Sequence, residues 1–378
     1  MAFVAQPGRE RLRRLAHTDT GEGCVLSVYV DLDPREFATA PARQSALTSA
    51  ADEAAKAVEG RDLSHDARLR LRADVERIRA YAGAADFDGT HGLAIFAGGS
   101  ELFEALHLPR RVDDGVWVGA APHVAPLVGE PDGSWCVALV NRRDARLLLG
   151  GPLRLDEAER IADDVPGRHD QGGLSQARYE RHIDEQARRH LERVAARVGE
   201  LRRAGRFDHL LVGGPDEPHA EFCALLDTET AALACGRVSV DFDAASPSDV
   251  LAAAGPEMRA CEGRQRDGLL ERVDEGLGPD GHAAAGVDEV LGCLNEQRVA
   301  TVLLDDGLGG EAAWCPSCGW LTASAAELCP ADGTQLRGGA DLVEAIVDRA
   351  LLQDADVLRL RESDRLAAHG GVAAVLRF

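Results

Sequence analysis

Apolar positions along the chain alternate between strand-like runs and helix-like spacing, and the alternation restarts twice. Cys24–Leu32 (CVLSVYVDL) is an apolar, β-branched run, the pattern of a buried strand. Ala42–Gly60 and Ser64–Ala82 read as two helices behind it. In the second, Ser64 can cap the first turn, and Leu69, Val75 and Ile78 supply apolar positions among arginines and acids. Gly92–Ala97, Leu102–Leu108 and Val116–Val118 read as short strands separated by Gly-Gly and Pro signals. The proline-rich stretch Pro122–Pro131 (PHVAPLVGEP) marks a domain boundary at 131.

The second segment opens with a hairpin, Trp135–Val140 and Ala145–Leu149 around Asn141–Asp144. A short helix is expected over Asp156–Asp163, then a polar loop, Val165–Leu174, and a long helix from Ser175 to about Arg203. Phe207–Val212 (strand), Glu217–Leu226 (helix), Val238–Phe242 (strand) and Pro247–Cys261 (helix) complete it. From Gly263 the pattern gives helices at Gln265–Gly276 and Val287–Gln297 and a buried strand at Val299–Leu304. A cysteine-bearing insertion, 311–336, precedes a helix at Ala340–Leu352 and strands at Val357–Leu360 and Gly371–Phe378. The fold class predicted is α/β: three α/β domains with mixed sheets, 1–131, 132–262 and 263–378, the last interrupted by its insertion.

Composition agrees with this. The 378 residues are 45% hydrophobic and 28% charged, an ordinary globular balance with room for two or three domains. There is no run of 18 apolar residues, so no transmembrane helix is expected. MAFVAQPGRERLRRL lacks an apolar core behind its basic residues, so a signal peptide is not expected and the reading is cytoplasmic. The net charge of −22 should repel nucleic acid and anionic membrane from the chain as a whole, and no membrane partner is expected. Lys56 is the single lysine; arginine usage this complete follows GC-rich coding and carries no functional weight.

Of nine cysteines, Cys24, Cys136, Cys223, Cys235, Cys261 and Cys293 stand alone in apolar or helical stretches and read as reduced thiols. Cys315, Cys318 and Cys329 are clustered. Cys315-Pro-Ser-Cys318 places two thiolates on one side of a tight turn, as tetrahedral zinc needs. Cys329-Pro-Ala-Asp332 repeats the spacing with a carboxylate in the fourth position, an acceptable zinc ligand. The competing reading is a degenerate ribbon that keeps its shape without metal. A redox dithiol fits less well, because Cys315 follows Trp314 in a strand-like context and does not open a helix.

The most informative stretch is Gly167–Ala195, GRHDQGGLSQARYERHIDEQARRHLERVA. Gly172 and Gly173 free the backbone for a narrow tip, and Ser175 can cap the helix behind it. Between Arg168 and Arg206 ten arginines face six acids, a local +4 against −26 for the remainder. Arg178, Arg181, Arg188 and Arg189 recur at helical spacing among acids such as Asp184 and Glu185. Two readings stand: a solvated, salt-bridged helix after a loop, or a phosphate-facing helix behind its tip.

The run Gly172-Gly173-Leu174-Ser175-Gln176-Ala177-Arg178-Tyr179-Glu180-Arg181 resembles the Gly-Gly-Gln-Ser-x-x-Arg-Phe-x-Arg segment of the archaeal and eukaryotic class-one peptide-chain release factors. Their rescue relative Pelota shares the three-domain plan without that tip, and bacterial members include Vms-type hydrolases and the hibernation factor Balon. The resemblance implies three domains, the last with a zinc-ribbon-like element, and a ribosomal partner: ribosomal RNA and the tRNA acceptor end, with a translational GTPase such as elongation factor Tu as a candidate carrier. It implies a loop tip of Gly172, Gly173 and Leu174 in the peptidyl-transferase centre and an RNA-binding set of Arg168, Arg178, Arg181, Arg188 and Arg189. Leu174 stands where releasing factors have Gln. It keeps a backbone donor and loses the side-chain amide, so location in that centre is implied more firmly than hydrolysis. A counterpart of the stop-codon-reading motif is missing from the first domain.

The expected function is therefore a ribosome-binding factor in rescue, hibernation or quality control, with zinc held by Cys315, Cys318, Cys329 and Asp332. The alternative is a peptidyl-tRNA hydrolase using Gly172–Leu174; the third reading is a zinc-ribbon interaction protein whose basic helix only packs on its own sheet. A phosphate-binding loop, a nucleophile elbow and a His-Glu-x-x-His motif are all missing. His219 reads as a surface turn residue, and Asp163-Asp164 and Asp305-Asp306 as solvated turn acids.

Overall fold

The first apolar run forms a strand buried along its whole length, β1 (Val25–Asp31), because both of its faces are covered. The computed structural model describes residues 7–18, 24–128, 134–163, 176–278, 281–324, 326–360 and 363–378. In chain order the first segment holds α1 (Arg9–Ala16), β1, α2 (Ala40–Gly60), α3 (His65–Ala84), β2 (Gly92–Gly98), β3 (Leu102–Leu108) and β4 (Gly115–Gly119). Thr39 and Ser64 cap α2 and α3 through side-chain oxygens that accept the Ala42 and Ala67 amides. The strands form an antiparallel sheet ordered β3-β2-β1-β4. Leu47, Ala51, Leu71, Val75 and Ile78 of the two helices pack on one face of it. Leu69, expected at the core, is exposed; Leu71, two residues on, is the buried leucine.

The middle segment contains β5 (Trp135–Val140), β6 (Asp144–Gly151), β7 (Arg154–Ala162), α4 (Gln176–Arg203), β8 (His209–Gly213), α5 (Asp216–Leu225), α6 (Thr228–Ala231), β9 (Ala234–Val238) and α7 (Pro247–Gly276). Its sheet is mixed, ordered β7-β6-β5-β8-β9, with β5–β8 and β8–β9 parallel. Residues alternate between two cores. Cys136, Ala138, Val140, Leu210 and Val212 face Leu191, Val194 and Val198 of α4 and Phe222 of α5. Trp135, Val137, Leu139 and Leu211 face Val250, Ala254, Met258 and Cys261 of α7.

Three local expectations are corrected. The helix expected over Asp156–Asp163 is strand β7, because its backbone completes a ladder with β6 and leaves its charges on a sheet edge. Pro247–Cys261 and Gln265–Gly276 are one helix, α7, which runs through Gly263; a single glycine costs about 1 kcal/mol and does not break it. The strand expected at Val238–Phe242 ends at Val238, where the Asp241 carboxylate accepts the amides of Asp243 and Ala244 and turns the chain.

The last segment adds β10 (Ala283–Ala285), α8 (Val287–Asn295), β11 (Val299–Asp305), β12 (Glu311–Trp314), β13 (Leu321–Thr322), β14 (Arg337–Asp341), α9 (Leu342–Leu352), β15 (Asp356–Leu360), α10 (Asp364–Ala367) and β16 (Val372–Leu376). Its main sheet is mixed, ordered β10-β16-β11-β15, and the insertion forms a separate sheet, β13-β12-β14.

The chain divides into two compact units: Met1–Pro131 with Asp267–Phe378, and Asp132–Arg266. The first and last segments thus share one unit. Tyr29, Phe96 and Leu106 of the first sheet join Ile346, Val347 and Val302 of the last segment in a single core. At the seam the Glu344 carboxylate accepts the Val124 and Ala125 amides at 2.7 and 3.0 Å and lies 2.7 Å from His123 Nδ1.

Candidate functional site

In the middle unit the site is built on α4. Ala187, Leu191, Val194, Ala195, Val198 and Leu201 fall at helical spacing and are buried against the sheet. That orientation turns Arg188, Arg189 and Arg193 outward, with side chains 59%, 71% and 60% exposed. Each has an acidic partner. Arg188 donates to Glu192 and Arg189 to Glu185, both at 3.1 Å and one helical turn away, and Arg193 pairs with Asp163. Arg197 binds Glu159 and Glu200 at 2.7 and 2.8 Å. Exposed pairs of this kind contribute about 0.2–1 kcal/mol, so they hold these guanidinium groups only weakly.

Gly172, Gly173, Leu174 and Arg168 lie outside the described residues, as does the Ser175 cap. The backbone of α4 carries Arg178 and Arg181, whose side chains also lie outside them.

Where β7 ends, the structure shows a residue set that the sequence reading missed. Asp163 stands beside His190 of α4, with Oδ2 2.6 Å from Nδ1, and also takes Arg193. It is not a solvated turn acid. Burial lowers the His190 pKa, with the Asp144 backbone and charge opposing; beside a carboxylate oxygen, which can only accept, Nδ1 is the donor. Asp163, Arg189, His190, Glu192 and Arg193 line a cleft of about 580 Å³ against α4. No linear signal marks this set, because 27 residues separate Asp163 from His190. The Asp305 carboxylate likewise has an internal role, accepting the amides of Gly307 and Ser363. His219 lies in the first turn of α5, where burial lowers its pKa.

In the other unit the insertion brings Cys315, Cys318, Cys329 and Asp332 together, their ligand atoms all within 4.8 Å of one another. Cys318 Sγ is 3.5 Å from Cys329 Sγ, and Cys315 Sγ is 3.6 Å from both Asp332 oxygens. The two turns share the same pair of backbone–backbone hydrogen bonds. The Cys315 carbonyl accepts the Gly319 amide and the Cys329 carbonyl the Gly333 amide, both at 2.9 Å. The Cys315 amide donates to Trp320 and the Cys329 amide to Thr334. Gly319 and Gly333 take φ of +73° and +72°, the left-handed region glycine enters without strain. Asp332 therefore occupies in the second turn the place of Cys318 in the first.

The Thr334 amide holds the Asp332 carboxyl far below its ordinary range, so it is ionised. Burial raises the Cys315 thiol, but amides of Cys318 and Ser317 and the neighbouring sulfurs outweigh it and leave it below the ordinary thiol range. At Cys318 the Trp320 amide favours the thiolate, yet burial, the two other sulfurs and Asp332 push it up to about 11. Crowded acids that resist joint ionisation are what a divalent cation relieves, and three sulfurs with one carboxylate form a donor set that suits a metal ion such as zinc.

Of the six solitary cysteines, Cys24, Cys136, Cys223 and Cys293 are free. Cys235 and Cys261 are not: they form a disulfide between β9 and α7. The sequence reading had no access to this pair, since register and helix packing bring together residues 26 positions apart.

Residues 122–259, which contain α4, match the family described as "Bacterial archaeo-eukaryotic release factor family 10". Peptide chain release factor subunit 1 of Archaeoglobus fulgidus is 26% identical over 261 residues, covering 64% of this chain and 64% of that protein. Its namesake from Methanopyrus kandleri is 27% identical over 196 residues, covering 49% and 46%. The chain thus matches less than two thirds of the length of these curated relatives. Among solved structures, an archaeal translation termination factor, aRF1, aligns over 98% of this chain and 96% of its own at 17% identity and a TM-score of 0.27. Archaeal Pelota, from a model of ribosome-bound Pelota and ABCE1, aligns over 100% and 95% at 14% identity and 0.41.

Proposed function

We propose that this chain, whose residues 122–259 match a bacterial archaeo-eukaryotic release-factor family, is a ribosome-binding translation factor of the release-factor and Pelota superfamily, acting in rescue, hibernation or quality control and not in stop-codon reading. The observation that carries this reading is the outward set of arginines on α4, which follows Gly172-Gly173-Leu174 in the chain and lies inside the family-matched segment. On a chain of net charge −22, such a local set is what can meet RNA phosphates. Distant acids are screened over a Debye length of about 8 Å, whereas an arginine touching a phosphate is not.

In this reading α4 rests against ribosomal RNA or the tRNA acceptor end, and the glycine tip reaches the peptidyl-transferase centre. Leu174 offers that centre a backbone N–H and an apolar side chain, so the factor occupies the site and releases little or no peptide. Delivery by a translational GTPase of the elongation factor Tu kind, and a cytoplasmic location, belong to the same proposal. Zinc held by Cys315, Cys318, Cys329 and Asp332 supplies structural stability to an insertion too small to fold on apolar burial alone.

Sucrose-gradient sedimentation of lysates from growing and starved cells tests the proposal, together with a peptide-release assay on purified ribosomes. The expected result is comigration with ribosomal particles in at least one condition and no release above background. Protein that stays at the top of the gradient in both conditions would remove the ribosome from the reading.

A further inference from the structure

We propose a second metal site, on the sheet of the middle unit: His209, Cys235 and Cys261 bind zinc when the Cys235–Cys261 disulfide is reduced. It is independent of the translation reading and of the Cys315 cluster.

The three residues come from three elements that the fold brings together. His209 opens β8, paired with Trp135 of β5. Its alternate neighbour Leu211 belongs to the core beneath α7, so His209 falls on that same face. Its ring stacks on Trp135, with centroids 4.6 Å apart. Cys235 sits where the β8–β9 register slips: Leu210 pairs with Ala234 and Leu211 with Gly236, leaving Cys235 as the extra residue. Such a bulge re-aims one side chain out of the regular alternation. Cys261 lies on α7, buried in the core it shares with Trp135 and Met258. One imidazole nitrogen and both sulfurs fall within 4.8 Å of one another.

Two thiolates and an imidazole are the protein donors of three-ligand zinc sites that keep water in the fourth position. The Arg264 guanidinium donates to the Cys235 carbonyl and so ties α7 to the bulge that carries Cys235. In the disulfide each sulfur is bonded to the other and has no thiolate to offer. A dithiol reductant changes that: it gives two electrons and two protons, the S–S bond breaks, each cysteine gains a hydrogen, and the reductant becomes a disulfide. Zinc then displaces the two thiol protons to solvent. Oxidation and metal binding are therefore mutually exclusive at this site.

The test is zinc stoichiometry by elemental analysis on the full chain, saturated with zinc and desalted, in oxidised form and after reduction with a phosphine. Wild type should gain one zinc per chain on reduction, and His209→Gln and Cys261→Ser should gain none. Because only the increment is read, zinc at the Cys315 cluster cancels. In a Trp314→Phe, Trp320→Phe background, tryptophan fluorescence supplies a second readout, since the Trp135 ring stacks on His209: zinc should change it in the reduced protein and leave it unchanged once His209→Gln is added. Should Cys261→Ser fail to fold by circular dichroism, His209→Gln alone decides. No increment in wild type, or an equal increment in folded His209→Gln, overturns the proposal.

Discussion

Replacing Arg188 and Arg189 with glutamine tests the α4 arginines most directly. Their side chains are 59% and 71% exposed and each makes one ion pair with an acid one turn away. Helical pairs of this class contribute about 0.3–0.5 kcal/mol, so losing both costs at most about 1 kcal/mol, and the fold survives. The effect on RNA should be larger. Each phosphate contact adds about 0.7–0.9 to the slope of log affinity against log salt. Two lost contacts flatten that slope by about 1.4–1.8, which over a fourfold change in salt amounts to roughly tenfold in relative affinity. Cosedimentation with purified ribosomes across a salt series measures it. Glu185→Gln with Glu192→Gln provides the opposite arm: it releases the same two arginines from their partners and should raise affinity. If the arginine variant keeps the parental slope, or both variants shift in the same direction, α4 is not the contact surface and its charges serve only to solvate it.

Leu174→Gln should raise peptide release, by about 10²–10³-fold if the side-chain amide is all the tip lacks, measured with peptidyl-tRNA on ribosomes. A native rate equal to that of a Gly-Gly-Gln factor would contradict the reading. Chelation should remove zinc from the insertion and change the fluorescence of the flanking Trp314 and Trp320, and Asp332→Ala should weaken zinc binding at least about tenfold by competition with a chromophoric chelator. His107 is buried between the Tyr81 and Thr90 hydroxyls, 2.6 and 2.9 Å from its nitrogens, and burial lowers its pKa, opposed by Asp86. The unfolded chain therefore takes up the proton first: His107 contributes nothing to pH dependence above about 6.5 and costs stability as pH falls below it. Denaturant midpoints of the parent should drop through that window more steeply than those of His107→Gln.

The parts of the fold carried by local pattern were legible. β1, α2, α3, β2 and β5 emerge from apolar runs and helical spacing within a few residues of their observed limits. β7 was not legible, because its Glu, Ala and Arg residues favour a helix and only the ladder with β6 makes it a strand. The Cys315 cluster was legible as spacing, and the repeated Cys-Pro-x-Cys-Gly and Cys-Pro-x-Asp-Gly turns carry a further signal that the reading of ligands alone passed over. The Asp163–His190 pair and the Cys235–Cys261–His209 group are products of register and packing. Their members are polar or thiol residues scattered among apolar neighbours, and nothing in one dimension tells them from core filling.

The first and last segments share one hydrophobic interior, and this sets an order of events during synthesis. Tyr29, Phe96 and Leu106 leave the ribosome long before Val302, Ile346 and Val347, their partners in the same core. At roughly 5–20 residues per second, the segment Asp132–Arg266 takes on the order of ten seconds to emerge between them. During that interval α2 and α3 can close one face of the nascent sheet while the other stays uncovered. The middle unit, contiguous in the chain, can complete its fold first. A nascent chain stalled before residue 267 would therefore present a finished middle unit beside an open apolar sheet face, the state in which this polypeptide most needs a chaperone.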